Sequence, residues 1–270
     1  MAISLKSLRK VRSTSPPRTL IYGPPGLGKT TLAAEWPNTV FIQFEDGTPA
    51  SAELDSFGTL TTYNEAIEAV GALYSESHGY QTVVLDSADK MEPRVWTAVC
   101  EANNWQSIES PGYGKGYVEA DKYWRDFLEG LNALRIERQM NVVLIAHSDV
   151  NRFDDPRTSS YSRFDIRLHK RALAIIEDEM DLIVFVNHEA TVKQEALGFN
   201  KTRAHAEGGL TRWLYVEGRP SLNAKNRYGM PSKLPFMKGQ GYAKLAPYFP
   251  HLNGGVAPPE PKAEAEQAAA

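Results

Sequence analysis

Five short apolar runs punctuate the chain, at residues 19–22, 40–45, 82–86, 142–147 and 182–187. Each is rich in Val, Ile, Leu or Phe and lacks polar alternation, the signature of strands buried on both faces of a parallel sheet. Between them the period lengthens. Thr62 opens a helix as the first residue of a Thr-x-x-Glu65 capping box, and Ile67, Val70 and Tyr74 then repeat at helical spacing. Residues 119–138 predict another helix, with Trp124, Phe127, Leu128 and Leu131 on one side. Beyond residue 190 the pattern turns to short β segments such as 213–216, broken by Gly and Pro. This alternation predicts an α/β fold with a mainly parallel central sheet flanked by helices and a short β-rich C-terminal part. No internal repeat is visible, and no apolar run approaches the roughly 18 residues a membrane helix needs, so no membrane partner is expected.

Composition adds size and charge. The chain has 270 residues, 42% of them hydrophobic, enough for one large core. With 33 acidic against 30 basic residues the net charge is −3, which excludes a uniformly basic DNA-coating protein. The charge is unevenly spread, however. Residues 1–20 carry five cations and no acid, residues 35–110 hold 13 acids against Lys90 and Arg94, and residues 201–244 hold nine cations against Glu207 and Glu217. The last stretch is Pro-, Ala- and Glu-rich without apolar periodicity, so the expected organisation is a basic arm at 1–18, a core at 19–252 and a disordered tail at 253–270. Cys100 is the only cysteine, which rules out an internal disulfide and any thiolate-rich zinc site and points to a reducing cytoplasm.

The strongest chemical signal is Gly23-Pro24-Pro25-Gly26-Leu27-Gly28-Lys29-Thr30, which follows the first strand and leads through Thr31 into a helix. It satisfies G-x-x-x-x-G-K-[ST] in the strand, loop, helix context that the motif requires. Glycines let the backbone wrap so that successive N–H groups converge on phosphate oxygens. Lys29 would reach the β and γ phosphates of ATP, and the Thr30 hydroxyl would ligate Mg²⁺. The run at 82–86 ends in Asp86, the acid expected to hold the metal directly or through water.

The residue after Asp86 is Ser87, where AAA+ ATPases carry their catalytic Glu, and the acidic segment 35–110 makes a poor Arg-rich lid for a small-molecule kinase. The pattern instead resembles RecA-like ATPases, whose catalytic Glu ends the strand that follows the P-loop helix. The resemblance makes Glu45 the general base that orients or deprotonates the attacking water. It makes His147, at the end of the 142–147 run, the polar residue that senses the γ phosphate. Lys225-Asn226-Arg227-Tyr228-Gly229 is similar to the KNRFG motif of the RadA proteins, with Tyr for Phe, and by that likeness Lys225 and Arg227 would reach a neighbouring subunit's nucleotide in trans. Together these residues resemble a phage-type, core-only branch of the RecA-like ATPases linked to single-strand annealing and recombination. The residues show no sign of the zinc finger or Lon-like domain of RadA and no obvious RecA-type C-terminal domain, so a core-only member is expected.

That resemblance implies a homo-oligomer that couples ATP and Mg²⁺ to single-stranded DNA, with a single-strand-binding protein as a further partner and, for a phage protein, the bacterial host cytoplasm as location. DNA-binding loops are expected after the Asp86 strand and after the His147 strand. The first contains Tyr113, Lys115 and Tyr117 among glycines, and the second Arg152, Phe153 and Arg163, a mix of aromatics and cations suited to base stacking and phosphate contact. The alternatives are a P-loop motor or loader acting on a protein partner, or a small-molecule kinase.

Overall fold

A computed structural model describes residues 14–47, 53–155, 159–197 and 201–254. The elements run β1 (Arg18–Gly23), α1 (Lys29–Ala34), β2 (Thr39–Gln43), β3 (Asp55–Thr59), α2 (Tyr63–Ser75), β4 (Thr82–Asp86), α3 (Ala88–Asn103) and α4 (Lys115–Glu137). They continue with β5 (Asn141–Phe153), β6 (Tyr161–Ile166), α5 (Lys170–Glu179), β7 (Leu182–Leu197), β8 (Lys201–Tyr215), β9 (Lys225–Asn226), β10 (Lys233–Phe236) and α6 (Gly241–Leu245). The sheet order is β10-β8-β7-β1-β5-β4-β2-β3, with β7 through β3 mutually parallel and β8 and β10 antiparallel at one edge.

The apolar runs become the central strands because they are covered on both sides. Leu20, Val83 and Leu144 point into one core with Trp124 and Phe127 of α4, while Ile21, Val84 and Val143 point into the other with Leu32 of α1 and Phe249. The Thr62/Glu65 capping box forms as expected and starts α2. Residues 1–13 of the expected arm and 255–270 of the expected tail lie outside the described residues, whereas Arg18, the last residue of that arm, opens β1 and pairs with Asp181 and Glu179.

Several expectations are corrected. The strand expected at 40–45 ends at Gln43, leaving Glu45 in the turn beyond it. The helix expected at 119–138 begins at Lys115, after Gly112, Tyr113 and Gly114, all of positive φ. Lys115 and Tyr117 are therefore helical and only Tyr113 sits on a loop tip. The expected loop after His147 is instead a hairpin, because β5 runs on past the sheet and pairs antiparallel with β6 from Ser148↔Ile166 to Phe153↔Tyr161. Residues 156–158 between them lie outside the described residues. The short β segments expected beyond 190 are a long β7–β8 hairpin, paired from Phe185↔Tyr215 to Leu197↔Lys201.

Candidate active site

The parallel order puts the C-terminal ends of β1, β5, β4 and β2 side by side, in register Gly23↔His147, Asp86↔Ile145 and Gln43↔Asp86. Open α/β sheets hold ligands at this edge. Here the turns after the strands surround a cavity of about 440 Å³ lined by Lys29, Thr30, Glu45, Asp86, His147 and Arg212, among others. The loop from β1 into α1 needs two of its glycines. A Cβ on Gly23 would lie 2.3 Å from the Val186 carbonyl oxygen of β7, and Gly28 adopts φ 87° as the residue that starts α1.

Lys29 is buried and its Nζ donates to the Gly23 and Pro24 carbonyls at 3.0 and 2.9 Å, which holds the ammonium inside the curl of the loop. Burial lowers its pKa, opposed by the charges of Asp86, Asp89 and Glu45. Thr30 Oγ1 donates to Asp86 Oδ2 at 2.9 Å. Burial pushes Asp86 up to about 6, with the Thr30 hydroxyl pulling the other way. Ser87 Oγ donates to Glu45 Oε1 at 3.2 Å, and Lys90 Nζ stands 3.9 Å from the other oxygen. His147 gives both its backbone N–H (2.9 Å) and its ring Nδ1 (3.0 Å) to Asp89 in the first turn of α3. Burial raises Asp89, but these bonds outweigh it and hold the carboxyl below its usual range.

A phosphate loop, a hydroxyl on a buried carboxylate and a second carboxylate therefore meet in one cavity. The model of a family described as an AAA domain matches residues 15–228. The chain belongs to the AAA-domain family. No curated protein sequence matches it. Among solved structures it is similar to the RadB recombinase at 14% identity, with a TM-score of 0.42, over 75% of this chain and 81% of that one. In this AAA-domain protein β5 separates the loop-bearing β1 from the Asp86 strand β4, the order that brings the loop and the acid to one edge of a mainly parallel sheet.

The AAA-domain protein's residues suit a small hard cation. Among the described residues no group of three or more His, Cys, Asp or Glu converges; the Thr30 hydroxyl and Asp86 could hold such an ion together with phosphate and water. That is the ligand set Mg²⁺ prefers.

Other expected residues lie elsewhere in the chain. Lys225 and Arg227 sit at the opposite end of the sheet, where β9 pairs with Leu182 and Ile183 at the start of β7. There Lys225 Nζ bonds the Glu177 carbonyl, and Arg227 Nη1 pairs with Asp181 at 2.9 Å. Tyr113 is fully exposed, but Tyr117 stacks on His169 with ring centroids 4.0 Å apart. On the β5–β6 hairpin Arg163 lies over the Phe153 ring at 4.3 Å and bonds Asp165 at 2.6 Å, while Arg152 pairs with Asp154 at 3.2 Å. Sequence reasoning missed Asp89, Arg212 and Lys238. For Asp89 the signal was there, a carboxylate in the first turn after Asp86-Ser87. For the other two, strand pairing alone brings them to the cavity.

Proposed function

We propose that this protein binds ATP with Mg²⁺ at the cavity, hydrolyses it, and works as a homo-oligomer that couples nucleotide state to single-stranded DNA in annealing or recombination. The observation that carries the reading is the convergence of Lys29, Thr30 with Asp86, Glu45 with Ser87, and His147 with Asp89 at the C-terminal ends of adjacent parallel strands. The loop amides and Lys29 take the phosphates. Thr30 and Asp86 would hold Mg²⁺, which supplies neutralising charge at the β and γ oxygens when bound. Glu45, its carboxylate steadied by the Ser87 hydroxyl, orients the water and accepts its proton. With Nδ1 given to Asp89, His147 keeps Nε2 for the γ phosphate. His147 also lies on β5, whose far end carries Arg152 and Phe153, so a rigid strand links the phosphate sensor to the hairpin. DNA contact by Tyr113 and by this hairpin, the trans role of Lys225 and Arg227, and a single-strand-binding protein as partner follow from the RecA-like resemblance.

One observation favours a second reading, a motor that acts on a protein partner. Among the described residues of the hairpin the cations Arg152, Arg163 and Arg167 are matched by Asp154, Asp165 and Asp149, which leaves them little net charge for phosphates. Steady-state ATPase with and without single-stranded DNA separates the two. Stimulation and salt-dependent DNA binding support the first, and their absence in an active ATPase supports the second. Lys29→Ala is expected to abolish tight ATP binding, while Glu45→Gln keeps binding and stalls turnover. An active Glu45→Gln protein would mean another base.

A further inference from the structure

Arg212 lies almost two hundred residues from the phosphate loop in sequence, yet the β7–β8 register places it on the loop's shoulder. In that ladder His188 faces Arg212 and Val186 faces Leu214, and Val186 is the residue whose carbonyl abuts Gly23. Arg212 therefore stands one strand from β7, just past the level at which the loop leaves the sheet. Its Nη1 donates to the Leu27 carbonyl at 3.3 Å and would stand 3.1 Å from a Cβ on Gly28. On the next strand Phe236 faces Arg212, and its ring would meet the same Gly28 Cβ at 3.7 Å. Lys238, two residues after Phe236, lines the same cavity.

Charge and position together single Arg212 out. Arg18, Arg152, Arg163, Arg167, Arg171 and Arg227 each pair with a carboxylate. Arg94, Arg125, Arg138, Arg212 and Arg219 have no carboxylate partner among the described residues, and of these Arg212 is the one that lines the phosphate-loop cavity. It makes only the long bond to a loop carbonyl. A half-buried guanidinium without an acid, at the lip of a loop built to receive phosphate, has a planar fork of donors suited to phosphate oxygens.

We propose that Arg212 is a phosphate-binding residue acting in cis, brought to the nucleotide by β8, with Lys238 as a second cation on the same side. The inference rests on the ATP-binding reading above. It makes the antiparallel β-rich edge part of the nucleotide site.

The test uses the full chain and three variants, Arg212→Ala, Arg212→Gln and Arg212→Lys. Affinity is read with a fluorescent ATP analogue and by competition with inorganic triphosphate, beside the nucleotide-free Tm. Arg212→Gln keeps a polar side chain over the Gly28 edge and loses the charge, and Arg212→Lys keeps the charge without the fork, so the two separate phosphate binding from loop support should Arg212→Ala fold poorly. The expected result is a roughly tenfold to hundredfold loss of affinity in the Ala and Gln variants, equal for ATP and for triphosphate, partly restored by Lys, with the Tm of Arg212→Gln unchanged. Wild-type affinity in Arg212→Gln overturns the proposal, as does a loss for ATP without a matching loss for triphosphate or one that only tracks a lowered Tm. A wild-type protein that binds neither ligand overturns the ATP-binding reading itself, an outcome distinct from a wild type that binds and a variant that binds as well.

Discussion

Asp89→Asn tests whether His147 works because α3 holds it. Asp89 is in the first turn of α3, its side chain 4% exposed, and it takes two bonds from His147, at 2.9 Å from the backbone N–H and 3.0 Å from ring Nδ1. The amide that replaces it has nearly the same shape, so one of these bonds survives while the charge and the second acceptor are lost. A hydrogen bond to a charged group contributes about 1.5–3 kcal/mol, and with one neutral bond retained the loss is about 1–2 kcal/mol. If that energy fixes the ring against the reacting phosphate, it appears in the barrier at about 1.4 kcal/mol per tenfold, a fall in kcat of roughly five- to thirtyfold. ATP affinity is expected to hold within about twofold, because removing an interaction realised in the transition state lowers kcat and not ground-state binding. The measurement is kcat and KM for ATP hydrolysis beside the directly measured Kd of a fluorescent analogue. An unchanged kcat, or a fall matched by an equal loss of affinity, would refute the idea that Asp89 positions His147 for the chemical step.

Glu92 and Tyr113 are open to two further perturbations. Burial raises Glu92 to about 7 although both its oxygens accept the His169 N–H at 3.1 Å. The folded protein therefore binds more protons than the unfolded chain between the ordinary carboxylate range and pH 7, and this group's contribution to stability falls as pH rises through that window. Glu92→Gln should match wild type near pH 4 and exceed it by about 3 kcal/mol at pH 8, read as Tm at both values; a variant no more stable at pH 8 contradicts the burial of a charge there. Tyr113→Ala removes a fully exposed side chain, so stability should change by less than about 0.5 kcal/mol, while single-stranded DNA affinity should fall by about 1–3 kcal/mol if the ring stacks on a base. Unchanged DNA affinity takes this loop tip off the DNA surface.

The phosphate loop and Asp86 were legible in the sequence because their chemistry is carried by contiguous residues: a glycine-rich turn has to follow β1 directly, and the acid has to end a buried strand. The five apolar runs were legible because double burial removes polar alternation. What escaped lacks such local marks. α3 carries Pro93 inside it, which reads as a breaker. β3 is Asp55-Ser56-Phe57-Gly58-Thr59, exposed throughout, and is held by backbone pairing to β2 with no apolar face of its own. The β5–β6 hairpin is basic, acidic and aromatic by turns, which resembles a binding loop until the register pairs Asn151 with Arg163 and Phe153 with Tyr161. Arg212 joins the site only through long-range strand pairing, which no local window contains.

The cation-rich segment 201–244 shows what that pairing does to charge. In sequence it is one basic run, but β8 sets Arg212 opposite His188 while β9 sets Lys225 opposite Ile183, five residues nearer the start of β7, so the two cations stand at different levels of the sheet. Arg212 and Lys238 fall at the phosphate-loop end, and Lys225 and Arg227 at the other. A trans role for the latter pair then demands a heterologous, head-to-tail contact, with the β9 end of one protomer over the open cavity of the next, an arrangement that closes into a ring or propagates as a filament. The two side chains are unequally prepared for it. Lys225 bonds the Glu177 and Asp178 carbonyls at the end of α5 and would have to leave both. Arg227 pairs with Asp181 while half exposed, and Asp181 also holds Arg18 and faces Arg135 at 3.7 Å. Releasing Arg227 leaves that carboxylate still paired with cations, so of the two side chains Arg227 is the one whose release costs less inside the fold.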